Sequence, residues 1–201
     1  MRVILALLVA ATPAWADAPA ETFHKNQFGL SLRFGIGARG IATYDNTVYC
    51  GTADPKAQYG NASVCSGRTP IAIDLEPSYG ITSSIELTLE LRIGIERDFG
   101  GSPGVDGPRP LHIAPGARFF FSESGRSKLF VQPELLFDFE DFKSASGVDR
   151  GNDFGFRGLE GFWLDLHHSY GIYFYVAESA EFSRWFLGTF EGGVGFQGRY
   201  P

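Results

Sequence analysis

The chain has 201 residues, of which 44% are hydrophobic, with 26 glycines, 19 phenylalanines, two cysteines and a formal net charge of −6. That charge excludes a nucleic-acid partner, because backbone phosphates are bound by an excess of Lys and Arg. A hydrophobic content this high beside a mean hydropathy of only −0.05 suits strands that alternate apolar and polar residues better than amphipathic helices.

The amino terminus comes first. Arg2, the apolar run Val3 to Val9 and the small-residue stretch Ala14-Trp15-Ala16 form the charge, core and cleavage pattern of a secretory signal. Residues 1–16 are read as that signal, and residues 17–201 as one domain starting at Asp17. No later stretch approaches the roughly 18 to 20 consecutive apolar residues of a spanning helix, so any membrane embedding uses strands.

From Phe28 apolar residues fall on every second position through Leu30, Leu32, Phe34 and Ile36, a period-2 strand. The clearest strand places Ile85, Leu87, Leu89, Leu91, Ile93 and Ile95 against Glu86, Thr88, Glu90, Arg92, Gly94 and Glu96, two sets that no helix keeps apart. Weaker copies run Ile71 to Tyr79, Leu111 to Phe121, Leu129 to Phe139, Phe154 to Leu166, Tyr170 to Val176 and Phe186 to Tyr200. The pattern predicts an all-β, up-and-down antiparallel barrel of about eight strands, each near the ~9–11 residues that cross a bilayer at a tilt.

The connections alternate in length. Residues 38–69, 100–110 and 141–153 are long; 80–83, 122–127 and 167–169 are short. Outer-membrane barrels have short periplasmic turns and longer external loops, so this rhythm sets an orientation with both termini periplasmic. Cys50 and Cys65 fall within the first long connection. In an exported chain a lone pair reads as one disulfide.

The apolar face can meet lipid, or it can point inward as in a soluble barrel of the lipocalin kind. Three features favour lipid. Lys25, Lys56, Lys128 and Lys143 fall at strand ends or in connections, whereas a wetted strand surface carries several. Gly29, Gly35, Gly94, Gly116, Gly155, Gly161, Gly171, Gly193 and Gly195 share the charged face, which suits a narrow lumen. Phe28, Tyr79, Phe119, Phe121, Phe137, Phe139, Tyr170 and Tyr200 lie near strand ends on the apolar face, like interfacial girdles.

Some residues strain this pattern. Pro77, Pro115 and Pro133 lie within strands and lack a ladder donor, so bulges or local fraying are expected there. Glu160 shares its parity with Phe156, Phe162 and Leu164, and a bulge near Gly158 is expected to turn it inward.

With the apolar face on lipid, the lumen receives Arg33, Asp74, Glu76, Glu86, Glu90, Arg92, Glu96, Arg118, Glu134, Asp138, Arg157, Asp165, Glu191 and Arg199. A barrel of about eight strands is just wide enough for its own side chains, so these groups are expected to pair into a plug rather than line an open pore. Paired carboxylates also serve acid–base catalysis, but a charged lumen is the ordinary state of such barrels; no catalytic residue, metal or cofactor is assigned. Gly35-Ile36-Gly37-Ala38-Arg39-Gly40 matches G-x-G-x-x-G, a fingerprint that needs a helix opening at the third glycine. Here Ile41 to Asn46 reads as loop. Asn61-Ala62-Ser63 fits a glycosylation sequon and reads as a polar loop.

Taken together, the signal, the alternating strands, the long–short rhythm and the run Tyr79-Gly80-Ile81-Thr82-Ser83-Ser84-Ile85-Glu86-Leu87 resemble the small bacterial outer-membrane barrels of the OmpA/OmpX/OmpW kind. The resemblance implies a chain held by outer-membrane lipid and delivered by the barrel-insertion machinery, which reads a terminal aromatic strand; Phe196 and Tyr200 supply it here, although Pro201 departs from the usual ending. It implies a monomeric, non-enzymatic envelope or surface-interaction protein, recognising an external ligand or surface through residues 38–69. A narrow channel for small or apolar solutes and a soluble lipocalin-like binding barrel are the alternatives. His167-His168-Ser169 is also similar to the His-x-Ser of outer-membrane lipid A deacylases, which implies a base and a nucleophile; Tyr170 follows where that family carries Asn.

Overall fold

A computed structural model describes residues 24–43, 64–97, 109–139, 142–143, 149–150, 152–182 and 185–201. The expected signal, Cys50, Lys56 and the sequon lie outside them. The described strands are β1 (Phe28–Thr43), β2 (Val64–Arg68), β3 (Ala72–Gly80), β4 (Ile85–Gly94), β5 (Leu111–Phe120), β6 (Ser127–Asp138), β7 (Phe142–Lys143), β8 (Asp149–Arg150), β9 (Asp153–His167), β10 (Tyr170–Phe182) and β11 (Trp185–Tyr200).

Among the described residues the sheet order is β11-β10-β9-β6-β5-β4-β3-β1-β2, and β11 also pairs with β1. The chain is therefore a closed, all-antiparallel barrel of eight strands. β2 sits on the upper half of β1, opposite Ala38 to Ala42, where it continues the line of β3. β7 and β8 form a separate two-stranded ribbon.

One circuit of the wall measures its stagger. Gly29 pairs with Ser78, then in turn come Thr88, Gly116, Glu134, Arg157, Ser179, Thr189 and finally Arg39, ten residues further along β1. Eight strands with that shear tilt by about 40°, leaving an interior that side chains can fill. Every residue in this ring points inward.

The outer face is a belt of exposed Phe, Leu, Ile and Val. Leu30 and Leu32 on β1, Leu87 and Leu89 on β4, Leu135 on β6 and Phe174 on β10 all lie 37% or more exposed, far too much apolar surface for a chain whose outer wall meets water. Exposed aromatics border the belt at both ends: Phe28, Tyr79, Phe121, Tyr170 and Tyr200 near the short turns, and Phe137, Phe139, Phe154, Phe182 and Phe186 near the long connections. A bilayer solvates such a surface; the inward-facing lipocalin arrangement is not the one observed.

Several expectations need correction. No bulge occurs near Gly158. The register runs unbroken from Val131↔Glu160 and Pro133↔Gly158 on one side to Val176↔Glu160 and Glu178↔Gly158 on the other, and Glu160 stays exposed on the outer face. A one-residue slip there would flip every following side chain, removing Trp163 and Asp165 from the lumen, so the wall keeps its register and leaves Glu160 outside. At Pro77 and Pro115 the expected local fraying is found, without a bulge. Pairing of β3 with β4 lapses at Glu76 and Pro77 and resumes at Ser78 in the same register, and β5 with β6 lapses around Pro115 and resumes at Gly116. The register shifts instead between Tyr170 and Gly171.

Strands also run further than expected at the long-connection end. β1 continues through Ala38 to Thr43 and β10 through Ala177 to Phe182, so the first long connection starts later and β10 pairs with β11 as far as Phe182↔Phe186. The G-x-G-x-x-G segment lies wholly within β1, which runs on to Thr43 past the third glycine, where the fingerprint needs a helix to open.

Glu160 lies six residues from Leu166, about 15 Å up the barrel axis at this tilt, near the middle of the apolar belt. Replacing it with Leu should raise stability by about 1–2 kcal/mol, read as a higher urea midpoint for unfolding from lipid vesicles; no gain would mean that the carboxylate does not contact the acyl region.

Candidate functional site

The inward residues are supplied by parity, because successive strand side chains point to opposite faces. All the predicted lumen residues except Glu96 lie inside, buried or nearly so. Glu96 does not. β4 ends at Gly94, which donates to Pro110 O at 2.7 Å, while Ile95 and Glu96 donate to Ile71 O, so the alternation has ceased to govern Glu96. Its carboxylate sits at the rim, taking Arg68 Nη1 at 2.7 Å and the Ile71 N–H at 3.0 Å. These bonds hold it below the usual carboxylate range. The link is therefore present at neutral pH and is lost as pH falls through that lowered value.

Four arginines from four strands meet at the centre. Arg92 on β4 grips two carboxylates with paired bonds: Asp74 at 2.7 and 2.9 Å, and Glu191 at 2.8 Å twice. Asp74 is next door on β3, whereas Glu191 lies on β11, so this guanidinium spans the lumen. Arg157 reaches Glu90 at 2.5 Å and Glu191 at 2.9 Å. Arg33 donates to Glu90 and lies 3.2 Å from Glu76. Arg118 donates to Gln132 at 2.7 Å, Glu86 at 2.9 Å and Glu76 at 2.5 Å. Bidentate charged pairs are the stronger hydrogen bonds and fix geometry as well as energy. Gln132 completes the lattice, donating to Glu76 at 2.5 Å and to Glu134 at 2.6 Å.

An aromatic cluster lines the rest of the lumen. Trp163 and Tyr173 stack at 4.5 Å with Phe120 and Phe130 edge-on beside Trp163. Arg118 lies 4.9 Å from the Trp163 ring and 5.1 Å from the Tyr173 ring, so its charge is held by ring faces as well as carboxylates. These rings fit because their cross-strand partners on the neighbouring strands are glycines. A Cβ on Gly195 would fall 2.1 Å from Tyr173 Cζ, one on Gly193 2.6 Å from the Tyr175 hydroxyl, and one on Gly161 2.8 Å from Phe130 Cε1.

Sequence reading missed Lys128, His24, Gln132, Gln197 and the inner aromatics. Lys128 stands at the start of β6, as its position in the sequence suggests, but its side chain turns inward, 2% exposed and 3.5 Å from Asp165. Its parity with Gln132 and Glu134 is the signal that could have found it. The inner rings share parity with the charges, as Trp163 does with Arg157 and Asp165; a search for apolar positions alone assigns such residues to the outer face.

His167-His168-Ser169 forms the β9–β10 turn. Ser169 N–H donates to His167 Nδ1 at 3.2 Å, and His167 stacks on Tyr170 at 5.3 Å, an arrangement that clasps the turn. Cys65 lies in β2 opposite Ile41. Asp138, Asp153 and Glu181 bring carboxylate oxygens within 4.8 Å of one another near the long-connection end.

No protein-family model matches this chain, and no curated protein does. Solved structures do. Neisserial surface protein A aligns with a TM-score of 0.59 at 11% identity, over 86% of this chain and 97% of that one. The N-terminal β-barrel domain of Pseudomonas aeruginosa OprF gives 0.52 at 12% identity, over 86% and 98%. The outer-membrane protein AlkL, solved in lipid bilayers, gives 0.50 at 11% identity, over 94% and 97%. The chain has the fold of the small eight-stranded outer-membrane barrels.

Two substitutions measure what fills the lumen. Gly195→Val forces a branched side chain into the space of the Tyr173 ring and should cost about 1–3 kcal/mol. Arg92→Met strips Asp74 and Glu191 of a shared partner and should cost about 3 kcal/mol or more. Both are read as urea midpoints in vesicles; wild-type values would show that the lumen repacks freely.

Proposed function

We propose that this chain is a non-enzymatic, closed barrel of the bacterial outer membrane, an anchor that displays its long connections at the cell surface. The observation that carries this reading is the span from Asp74 through Arg92 to Glu191, joined to Arg157 and Glu90, which fills the cross-section with side chains bonded to one another. A solute would have to break several charge-assisted bonds at once, in an interior that eight strands make barely wide enough for its own side chains. A rigid wall with long connections at one end is also a common support for recognition loops. Residues 38–69 are the candidate contact segment, stapled by a Cys50–Cys65 disulfide, and the aromatic strand β11 is the element that the insertion machinery reads.

In planar bilayers the purified protein should give no discrete conductance steps; steady stepwise conductance would favour a channel instead. In fractionated cells it should pellet with the outer membrane and shift mobility on boiling, and recovery in the soluble periplasmic fraction would defeat the reading. Deleting residues 46–60 should leave folding intact and abolish surface adhesion or ligand binding. Unaltered surface phenotypes would remove the contact role from that loop.

A further inference from the structure

The short-turn end of the lumen is stopped by a piece of chain outside the wall. Residues 24–27 form a tight turn ahead of β1, with φ of 77° at His24 and 58° at Asn26. Asn26 N–H donates to Gly80 O at 2.8 Å and Gly80 N–H to Gln27 O at 3.0 Å. Gly80 admits the turn because it lacks a side chain: a Cβ there would lie 1.8 Å from His24 O. The result is that the His24 side chain enters the barrel mouth with no exposed surface.

The ring lies in a slot shaped for it. Nδ1 is 2.5 Å from Glu86 Oε1 and Nε2 is 3.4 Å from Asp165 Oδ2. Phe120 lies against one face, centroid to centroid 4.3 Å, and Trp163 stands edge-on at 5.4 Å. The two carboxylates already have cations, Arg118 at 2.9 Å from Glu86 and Arg199 at 2.7 Å from Asp165. Arg199 Nη1 also lies 3.4 and 3.5 Å from the two ring nitrogens, so the slot offers a flat ring two aromatic neighbours and polar partners at the edge that can meet either a donor or an acceptor nitrogen.

We propose that this slot is a ligand site for a small nitrogen heteroaromatic ring, and that His24 is its tethered occupant, a stopper held by Gly80. Its own chain blocks the site, since a ligand on a short tether competes at an effective concentration on the order of millimolar. The proposal concerns the mouth alone and holds whichever way the barrel faces.

The test uses the full chain folded in detergent micelles, with imidazole as the probe and tryptophan fluorescence as the readout. His24→Gly should gain a saturable response at roughly millimolar imidazole, absent from the wild type and lost again when Glu86→Gln is added. Gly80→Ala leaves the slot's own side chains in place and displaces the turn, so it too should gain the response. The proposal is overturned if both variants fold, as judged by heat-dependent mobility, and neither responds. An equal response from the wild type would place the binding elsewhere and overturn it as well. Failure of both variants to fold would also overturn it, because a stopper is dispensable to the wall.

Discussion

Everything in this molecule depends on the ladder between its first and last barrel strands. Phe28 to Thr43 pairs residue for residue with Tyr200 to Trp185, and without that seam the sheet would present two edges of unsatisfied N–H and C=O groups to hydrocarbon, where no water can pair them. Closing the seam fixes the shear, the shear fixes the radius, and the radius decides what the inward side chains can do. With eight strands they can only touch. A wider barrel built from the same residues would hold the same charges apart, with water between them.

Given that radius, the lumen solves a packing problem with charged and aromatic groups in place of the aliphatic residues of a soluble core. Large rings lie over the glycines paired with them on the neighbouring strand, as Tyr173 does over Gly195 and Phe130 over Gly161. Guanidinium groups then bridge the remaining gap, because a planar fork can satisfy two carboxylates from different strands at once. Buried ion pairs give uncertain net stability and clear geometric specificity. Here the specificity falls on strand register, since slipping β9 by one residue would turn Arg157 outward and Glu160 inward and leave Glu90 and Glu191 short of a partner.

The fold was legible where both faces of a strand speak. β4 reads plainly because its outer set is entirely Ile and Leu and its inner set mostly charged or polar. The far ends of β1 and β10 were not legible, because Ala38, Gly40, Glu178 and Ala180 face outward there and carry no apolar signal. The inward charges followed from parity alone, and Glu96 marks where parity ends, since it lies beyond the last residue of its strand. His24 was beyond reach: it belongs to no strand, and only the pairing of its turn with Gly80 brings it under the barrel. The outward place of Glu160 is not legible in its own strand, because the register of the whole wall outweighs the local cost of one carboxylate.

The alternation that builds the lumen also bears on how the unpaired strands present themselves to a bilayer. A secreted polypeptide passing through a helix-inserting translocon is tested for apolar windows long enough to partition sideways into the bilayer. In β4 and β9 nearly every second residue is polar, charged or glycine, so despite 44% hydrophobic content such windows do not form along these strands. Among the described residues no helix is long and apolar enough to cross a membrane. The arginines and glutamates that interlock in the folded wall are also what keeps each unpaired strand from offering a continuous apolar window; the hydrophobicity becomes contiguous only after the strands have paired.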